Sequence, residues 1–240
     1  MKVFTGVQAF YGKYDFSGYG TSFAPDGSFN ILESKPFNAA AIRKDKGLYN
    51  FSGTLEALLP FGTSAAAFGN DLNTNIGTRV PLSFHLDKLA AAKGDPSMLV
   101  NALHNQQIAL TQGELRTVSL SLESERMFFG KVLEIGTKTT TGNGGTGIVM
   151  PAVGAGQTIG CALHVSDSTG SMTMRVESDD NDSFTSGTIR FVFAGITTGN
   201  PTSEFLTLTP SAGITDTFWR ATWTSTSTPS HSVSMSLGIL

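Results

Sequence analysis

Charged residues are scarce in this chain: Asp, Glu, Lys and Arg make up 15% of its 240 residues, against about 25% in an average soluble protein. The 16 basic and 19 acidic residues give a net charge of −3, so no basic excess indicates specific nucleic-acid binding. The single cysteine, Cys161, excludes an internal disulfide. No apolar run reaches the roughly 20 residues of a membrane helix, so we expect no membrane insertion.

Glycine and phenylalanine are abundant instead, with 27 and 17 residues, alongside many serines and threonines. Short runs of β-branched and aromatic residues alternate with Gly, Asn and Asp, a pattern typical of strands joined by turns. A chain of 240 residues can hold one large all-β domain or two smaller ones. We predict a fold of the all-β class, that is, mainly β with one helix, arranged as two β-sandwich-type domains.

The domain boundary is predicted in the Gly- and Thr-rich segment 137–156, which we interpret as a linker. Its run Gly142-Asn-Gly-Gly-Thr-Gly147 lacks the Lys and Ser/Thr pair of a phosphate-binding loop. Residues 1–136 are then predicted to form an N-terminal β-sandwich with a flanking helix. Residues 157–240 are predicted to form a C-terminal, Ig-like sandwich of short strands.

The helix is predicted over residues 95–107. Asp95 is an N-cap candidate, and Pro96 occupies the first helical position, where its missing N–H does no harm. Leu99, Ala102 and Leu103 fall on one helical face that could pack against a sheet.

Several segments alternate with the period of a strand. Val118, Leu120 and Leu122 share one face of the segment 115–125. Between residues 188 and 194, the predicted inward residues are Ile189, Phe191 and Phe193. The final segment alternates most strictly, with an apolar face of Val233, Met235, Leu237 and Ile239. Its other face carries Ser232, Ser234 and Ser236, and we expect this serine face at the outer surface.

A long polar segment between residues 60 and 79 predicts an exposed loop. Loops of this length are usually functional or mobile, so we treat it as a candidate assembly loop. Its candidate residues are Pro60, Gly62, Gly69, Asn70, Asp71, Asn75 and Arg79.

Two tryptophans, Trp219 and Trp223, share one face of a predicted strand. They could form an exposed platform that stacks on a sugar, or they could fill the core between two sheets. The acidic segment 177–182 also has two interpretations, a Ca²⁺ site or a hairpin turn. We favour the core and the turn, and we predict no metal site.

The residues of catalysis do not form a recognisable pattern. The histidines lie far apart, at positions 85, 104, 164 and 231, and no serine lies in a nucleophile-elbow motif. We therefore assign no catalytic residue and no cofactor, and we expect no enzyme activity.

The order of motifs resembles the major tail (tail tube) protein of long-tailed bacteriophages, in the group that carries an appended C-terminal β-domain. The resemblance spans nearly the whole chain and rests on an early Asp15-Phe-Ser-Gly-Tyr19, a middle Leu48-Tyr-Asn-Phe-Ser-Gly-Thr-Leu55 and the alternating 115–125 strand. It continues after the Gly- and Thr-rich segment with Leu163-His-Val-Ser166, Arg175-Val-Glu-Ser-Asp-Asp180 and Thr217-Phe-Trp-Arg-Ala-Thr-Trp223.

This resemblance implies a virion structural protein without catalytic residues. Copies of the chain would form homo-oligomeric, hexameric rings that stack around a tape-measure protein, contact other tail proteins and leave a conduit for non-specific passage of phage DNA. Assembly would take place in the host cytoplasm. The C-terminal domain would decorate the outside of the tube. The alternative is a capsid or tail decoration protein, or an adhesin module, that binds carbohydrate on the host surface.

Overall fold

The computed structural model describes the backbone of residues 7–17, 20–34, 43–58, 71–86, 90–109, 117–197, 202–226 and 229–240. Within these ranges the chain is nearly all β, with a single helical turn at residues 71–74. The curled antiparallel sheets confirm the predicted mainly β fold. No helix in the described ranges is long and apolar enough to span a membrane.

The strands are numbered in chain order. They are β1 Val7–Tyr11, β2 Tyr14–Asp15, β3 Gly20–Ser34, β4 Arg43–Leu58, β5 Arg79–Leu86, β6 Pro96–Ala109, β7 Thr117–Ser124, β8 Met127–Lys138, β9 Gly142–Asn143, β10 Ile148–Val149, β11 Ile159–Thr169, β12 Met172–Asp179, β13 Thr188–Val192, β14 Thr202–Leu208, β15 Phe218–Ser225 and β16 Ser230–Ile239.

The chain forms two compact units. Unit 1 comprises Met1–Gly18, Val80–Asn101 and Phe128–Leu240, and unit 2 comprises Tyr19–Arg79 and Ala102–Met127. This division differs from the predicted boundary at 137–156, because unit 1 collects three separate stretches of sequence.

Unit 1 contains a β-sandwich. One sheet has the strand order β14-β11-β16-β8, continuing through the first part of β6 to β5, β1 and β2. The other has the order β10-β15-β12-β13, with β9 also paired to β15. The core between the two sheets includes Leu163, Met174, Trp219, Met235 and Leu237, each at most 1% exposed. Burial of these large apolar side chains is the main force that holds the sheets together.

Residues 137–156, predicted as a linker, lie inside this sandwich. Strand β9 pairs with β15, and Ile148 of β10 lies opposite Trp219. Ile148, Met150 and Val153 are buried members of the sandwich core. The apolar residues interspersed among the glycines therefore make this segment part of the sandwich.

The predicted helix over residues 95–107 is wrong, since this segment is strand β6. Met98, Val100 and Ala102 are buried at every second position, which is the period of a strand. Leu99, on the opposite face, packs with Phe128 and Ala162 in a second cluster. Pairing with neighbouring strands thus outweighs the local helix-start signal of Asp95 and Pro96.

The serine face of β16 is buried, contrary to the prediction. Strand β16 lies between β11 and β8, and Ser234 and Ser236 are 1% and 0% exposed. The hydroxyl of Ser97 donates a hydrogen bond of 3.0 Å to Oγ of Ser236. Strands β5 and β6 of the same curled sheet supply side chains that cover this face, and the serines find polar partners there.

Three glycines form a row across β11, β16 and β8. Gly238 lies opposite Gly160 on one side and Gly130 on the other. The side chain of Phe128 covers the row, since a Cβ added to Gly160 would stand 3.0 Å from its ring and one added to Gly238 would stand 2.9 Å from its Cβ. The ring of Phe128 therefore packs directly on the strand backbone, and no side chain larger than that of glycine fits at these positions.

Unit 2 is built from the long antiparallel pair β3 and β4, from β7 and from the second part of β6. In β7 the side chains of Val118, Leu120 and Leu122 are at most 1% exposed, which confirms the predicted alternation. They share the interior with Phe51 and Leu55 of β4, each 2% exposed.

Candidate functional site

The candidate functional site is the outer edge of strand β13. This strand ends its sheet and pairs with β12 alone among the strands that the structure describes. An edge strand presents unpaired backbone N–H and C=O groups that can pair with another chain. The side chains of Ile189 and Val192 are 50% and 54% exposed on this strand, so the edge is apolar as well as open.

The exposure of Ile189 differs from the predicted inward position. The register between β12 and β13 shifts between Val176 and Glu177, and such an irregularity re-aims side chains. Phe191 and Phe193 remain in the core, at 5% and 2% exposed. The shift therefore moves one large apolar side chain from the core to the surface.

An ion pair holds β13 in place. Arg190 donates from Nη2 to Oδ2 of Asp216 at 2.9 Å and from Nε to Oγ of Ser178 at 2.7 Å. Ser178 in turn donates to Asp216 at 2.6 Å. Burial raises the pKa of Asp216, but the hydrogen bonds from Ser178 and Arg190 outweigh burial and lower it overall. These contacts hold β13 in a fixed position, so its unpaired edge can serve as a template for pairing with a strand of another chain.

Part of the predicted assembly loop lies outside the described residues, including Pro60, Gly62, Gly69 and Asn70. Asp71 belongs to the helical turn, and its carbonyl oxygen accepts a hydrogen bond of 3.0 Å from the N–H of Asn75. Arg79 begins β5 and forms an exposed ion pair of 2.9 Å with Glu125. An assembly role for this loop stays a prediction.

The two tryptophans lie in the sandwich core. Trp219 is 0% exposed and Trp223 is 8% exposed. The indole N–H of Trp223 donates to the carbonyl oxygen of Thr140 at 2.7 Å, and the Lys138 ammonium lies 4.8 Å from its ring centroid. The pair therefore does not form an exposed platform.

The acidic segment 177–182 comprises the last three residues of β12 and the start of the turn that leads to β13. The Asp179 carboxylate accepts hydrogen bonds from the backbone N–H groups of Asp180 at 2.7 Å and Ser186 at 3.0 Å. These bonds lower the pKa of Asp179 although burial acts to raise it. In the described ranges, no group of three or more His, Cys, Asp or Glu residues could hold a metal ion.

Two histidines that are distant in sequence meet in the interior of unit 1. Both pack against the ring of Phe10, whose centroid is 5.2 Å from that of His85 and 5.5 Å from that of His164. Both histidines are at most 1% exposed. Burial, the largest influence, lowers the pKa of His85 to about 3 and that of His164 to about 4.

Hydrogen bonds orient both imidazoles. His164 donates from Nδ1 to the carbonyl oxygen of Gly12 at 2.7 Å, and its Nε2 lies 2.8 Å from Oγ of Ser83. Nε2 of His85 lies 3.2 Å from Oγ of Ser236 and 3.3 Å from that of Ser234. Although His164 and Ser83 are at nucleophile-to-base distance, both are sealed from solvent. The cluster is therefore a buried structural network. In the sequence, the regular spacing of serines in β16 was the feature that could have indicated it.

Neither a protein-family model nor a curated protein sequence matches this chain. Among solved structures, it is similar to the SPP1 Dit (gp 19.1) protein, described as a paradigm of the hub adsorption apparatus in phages that infect Gram-positive bacteria. The identity is 14% and the TM-score 0.38, over 96% of this chain and 98% of that chain. It is also similar to a chain of the phage p2 baseplate in its activated conformation with Sr, at 9% identity and a TM-score of 0.32, over 95% and 97% of the two chains. At such low scores, neither similarity establishes a shared function.

Proposed function

We propose that this chain is a structural protein of a bacteriophage tail that assembles with copies of itself. The observation that carries the proposal is the open, apolar edge of β13, with Ile189 and Val192 exposed. Monomeric proteins usually blunt such an edge with charged residues or proline. Here the one charged side chain of the strand, that of Arg190, is instead bound to Asp216.

The phage tail is supported by the order of motifs along the sequence, which resembles that of tail tube proteins, and by the nearly all-β fold. Within this role, we propose that the subunits form rings, hexameric by the resemblance, which stack into a tube around a tape-measure protein and let DNA pass. The role is structural and involves no catalysis.

The edge of β13 can be tested with the substitution Val192→Lys. We expect the purified wild-type chain to form rings or tubes as its concentration rises, because strand edges pair and exposed apolar side chains are buried. The lysine places a charge at this edge, so Val192→Lys should shift the chain to monomers. Light scattering after size-exclusion chromatography gives the mass, and negative-stain microscopy gives the symmetry.

The matched control is Val149→Lys. Val149 is also 54% exposed, but its strand β10 has only two residues, too few to template a ladder. This variant should assemble like the wild type. Assembly that Val192→Lys leaves unchanged would remove the β13 edge from the proposal, and a wild-type chain that stays monomeric at every concentration would refute self-assembly through its own surface.

The position in the virion separates the tube from other roles. Immunogold labelling along the whole tail is expected for a tube subunit. Label confined to the tail tip would contradict the role of tube subunit and indicate a terminal ring. Label on the capsid would favour the alternative decoration or adhesin role.

A further inference from the structure

The Gly- and Thr-rich segment after β8 forms one wall of a cleft in unit 1. The cleft has a volume of ≈ 350 Å³, at the small end of the range for ligand pockets. Its other walls come from β8, from the segment before β6 and from β15. The residues that line it include Lys93, Glu134, Lys138, Asn143, Gly144 and Trp223.

Two glycines let the loop backbone approach the floor of the cleft. A Cβ added to Gly142 would stand 3.2 Å from Cζ2 of Trp223. One added to Gly144 would stand 2.8 Å from Oε2 of Glu134 and 3.4 Å from Nζ of Lys93. Glycine at both positions therefore keeps the indole, the carboxylate and the ammonium group close to the loop.

The charges in the cleft do not cancel. Its described lining holds two ammonium groups and one carboxylate, a net charge of +1. Lys138 pairs with Glu134 at 2.7 Å, whereas Lys93 donates to the carbonyl oxygens of Gly144 and Thr146. Burial lowers the pKa of Lys93, and the charge of Glu134 opposes this. A negative group that entered the cleft would stabilise the partly buried ammonium in the same way as Glu134.

The rest of the lining suits a polyhydroxylated ligand. It consists of Thr137, Thr139 and Thr140, which carry hydroxyl groups, Asn143, which carries an amide, Gly144, and one indole side chain, that of Trp223. Hydroxyl and amide groups both donate and accept hydrogen bonds, as sugar hydroxyls require. An aromatic ring presents an apolar surface to the C–H groups of a sugar.

We propose that this cleft binds one acidic sugar unit, a pyranose ring that bears a carboxylate or a phosphate. The acidic group lies beside the ammonium groups of Lys93 and Lys138, and the ring hydroxyls contact the threonines and Asn143. The small accessible part of Trp223, whose side chain is 8% exposed, contacts the ring. This inference does not depend on the proposed tail role.

The test is a titration of the full chain followed by the two indole N–H signals in ¹H–¹⁵N NMR spectra. The Trp223 N–H lies at the cleft, and that of the fully buried Trp219 serves as an internal reference. The probes are glucuronic acid, glucose 6-phosphate, glucose and inorganic phosphate. We expect the Trp223 signal to shift in a saturable manner with at least one acidic sugar, and glucose and inorganic phosphate to bind at least tenfold more weakly. The two acidic probes distinguish a carboxylate from a phosphate.

Two variants assign the binding to the cleft. Lys93→Met should weaken binding of the acidic sugar at least tenfold without changing that of glucose. Thr139→Val changes an exposed position, so it should stay folded even if Lys93→Met does not, and it should weaken binding at least threefold. The matched control is Lys131→Met on β8, since Lys131 binds the carbonyl oxygen of Val149 outside the cleft.

Several results would overturn the inference. These are the absence of a saturable shift with either acidic sugar, glucose or inorganic phosphate binding as tightly as the acidic sugars, and equal effects of Thr139→Val and Lys131→Met on affinity.

Discussion

Replacing Gly130 with alanine is expected to prevent unit 1 from folding. A Cβ at this position would overlap the carbonyl oxygen of Leu237 and stand 2.5 Å from Cα of Gly238. Both obstacles are backbone atoms of the neighbouring strand β16, so no side-chain rotation relieves the overlap. We expect Gly130→Ala to lower the free energy of unfolding by more than about 4 kcal/mol, beyond the roughly 1–3 kcal/mol of ordinary overpacking, because the obstacles are backbone atoms. A loss of this size is comparable with the total stability of many domains.

Chemical denaturation followed by circular dichroism measures this effect. The control is Gly195→Ala, because a Cβ at Gly195 meets nothing within 4 Å, and its cost should stay within about 0.5 kcal/mol. Similar unfolding curves for the two variants would show that β8 and β16 can separate at this point without loss of the fold.

Unit 1 is expected to lose stability as the pH falls from 6.5 to 4.5. The folded-state pKa values of His85 and His164 are about 3 and about 4, below the ordinary value of 6.5. In this pH window the unfolded chain therefore binds protons that the folded chain does not. Each histidine then destabilises the fold by up to about 1.4 kcal/mol per pH unit. Together they should remove about 5 kcal/mol between pH 7 and pH 4.5.

The substitution His85→Gln tests the origin of this loss. The carboxylates with lowered pKa values, Asp179 and Asp216, start from an ordinary value of 3.8 and lose their contribution only below it. Burial also lowers the pKa of His231 in unit 1, which adds to the loss in this window. Removing His85 should therefore reduce the pH dependence by somewhat less than half. Denaturation at pH 7.5, 6.5, 5.5 and 4.5 gives the slope for each chain. A wild-type stability that stays constant over this range would contradict neutral, buried histidines.

The sequence predicted those features whose local pattern and tertiary environment agree. The alternation of Val118, Leu120 and Leu122 was sufficient, because one face of β7 is buried and the other is wetter. The prediction of a helix over residues 95–107 was wrong. Asp95 and Pro96 signal a helix start locally, but pairing of β6 with strands that are distant in sequence makes this segment a strand. Such pairing cannot be read from a single segment.

The prediction that the serine face of β16 is exposed was wrong for a different reason. Alternation assigns residues to two faces, but it does not reveal whether other strands of the same curled sheet cover the polar face. Ser236 is buried because His85 and Ser97 supply its hydrogen bonds from β5 and β6. The cleft beside Trp223 could not be predicted from the sequence either, since a Gly- and Thr-rich composition is equally typical of a linker and of a loop that lines a cleft.

The position of β16 has a consequence for synthesis and folding. This strand lies between β11 and β8, yet it follows every other strand of unit 1 along the chain. Until this strand has emerged from the ribosome, β8 and β11 each keep an unpaired side, and the sandwich cannot close. Such late, long-range pairing is slow and exposes strand edges to aggregation. A nascent chain stalled before residue 230 should therefore be protease-sensitive in unit 1 and a ready substrate for chaperones.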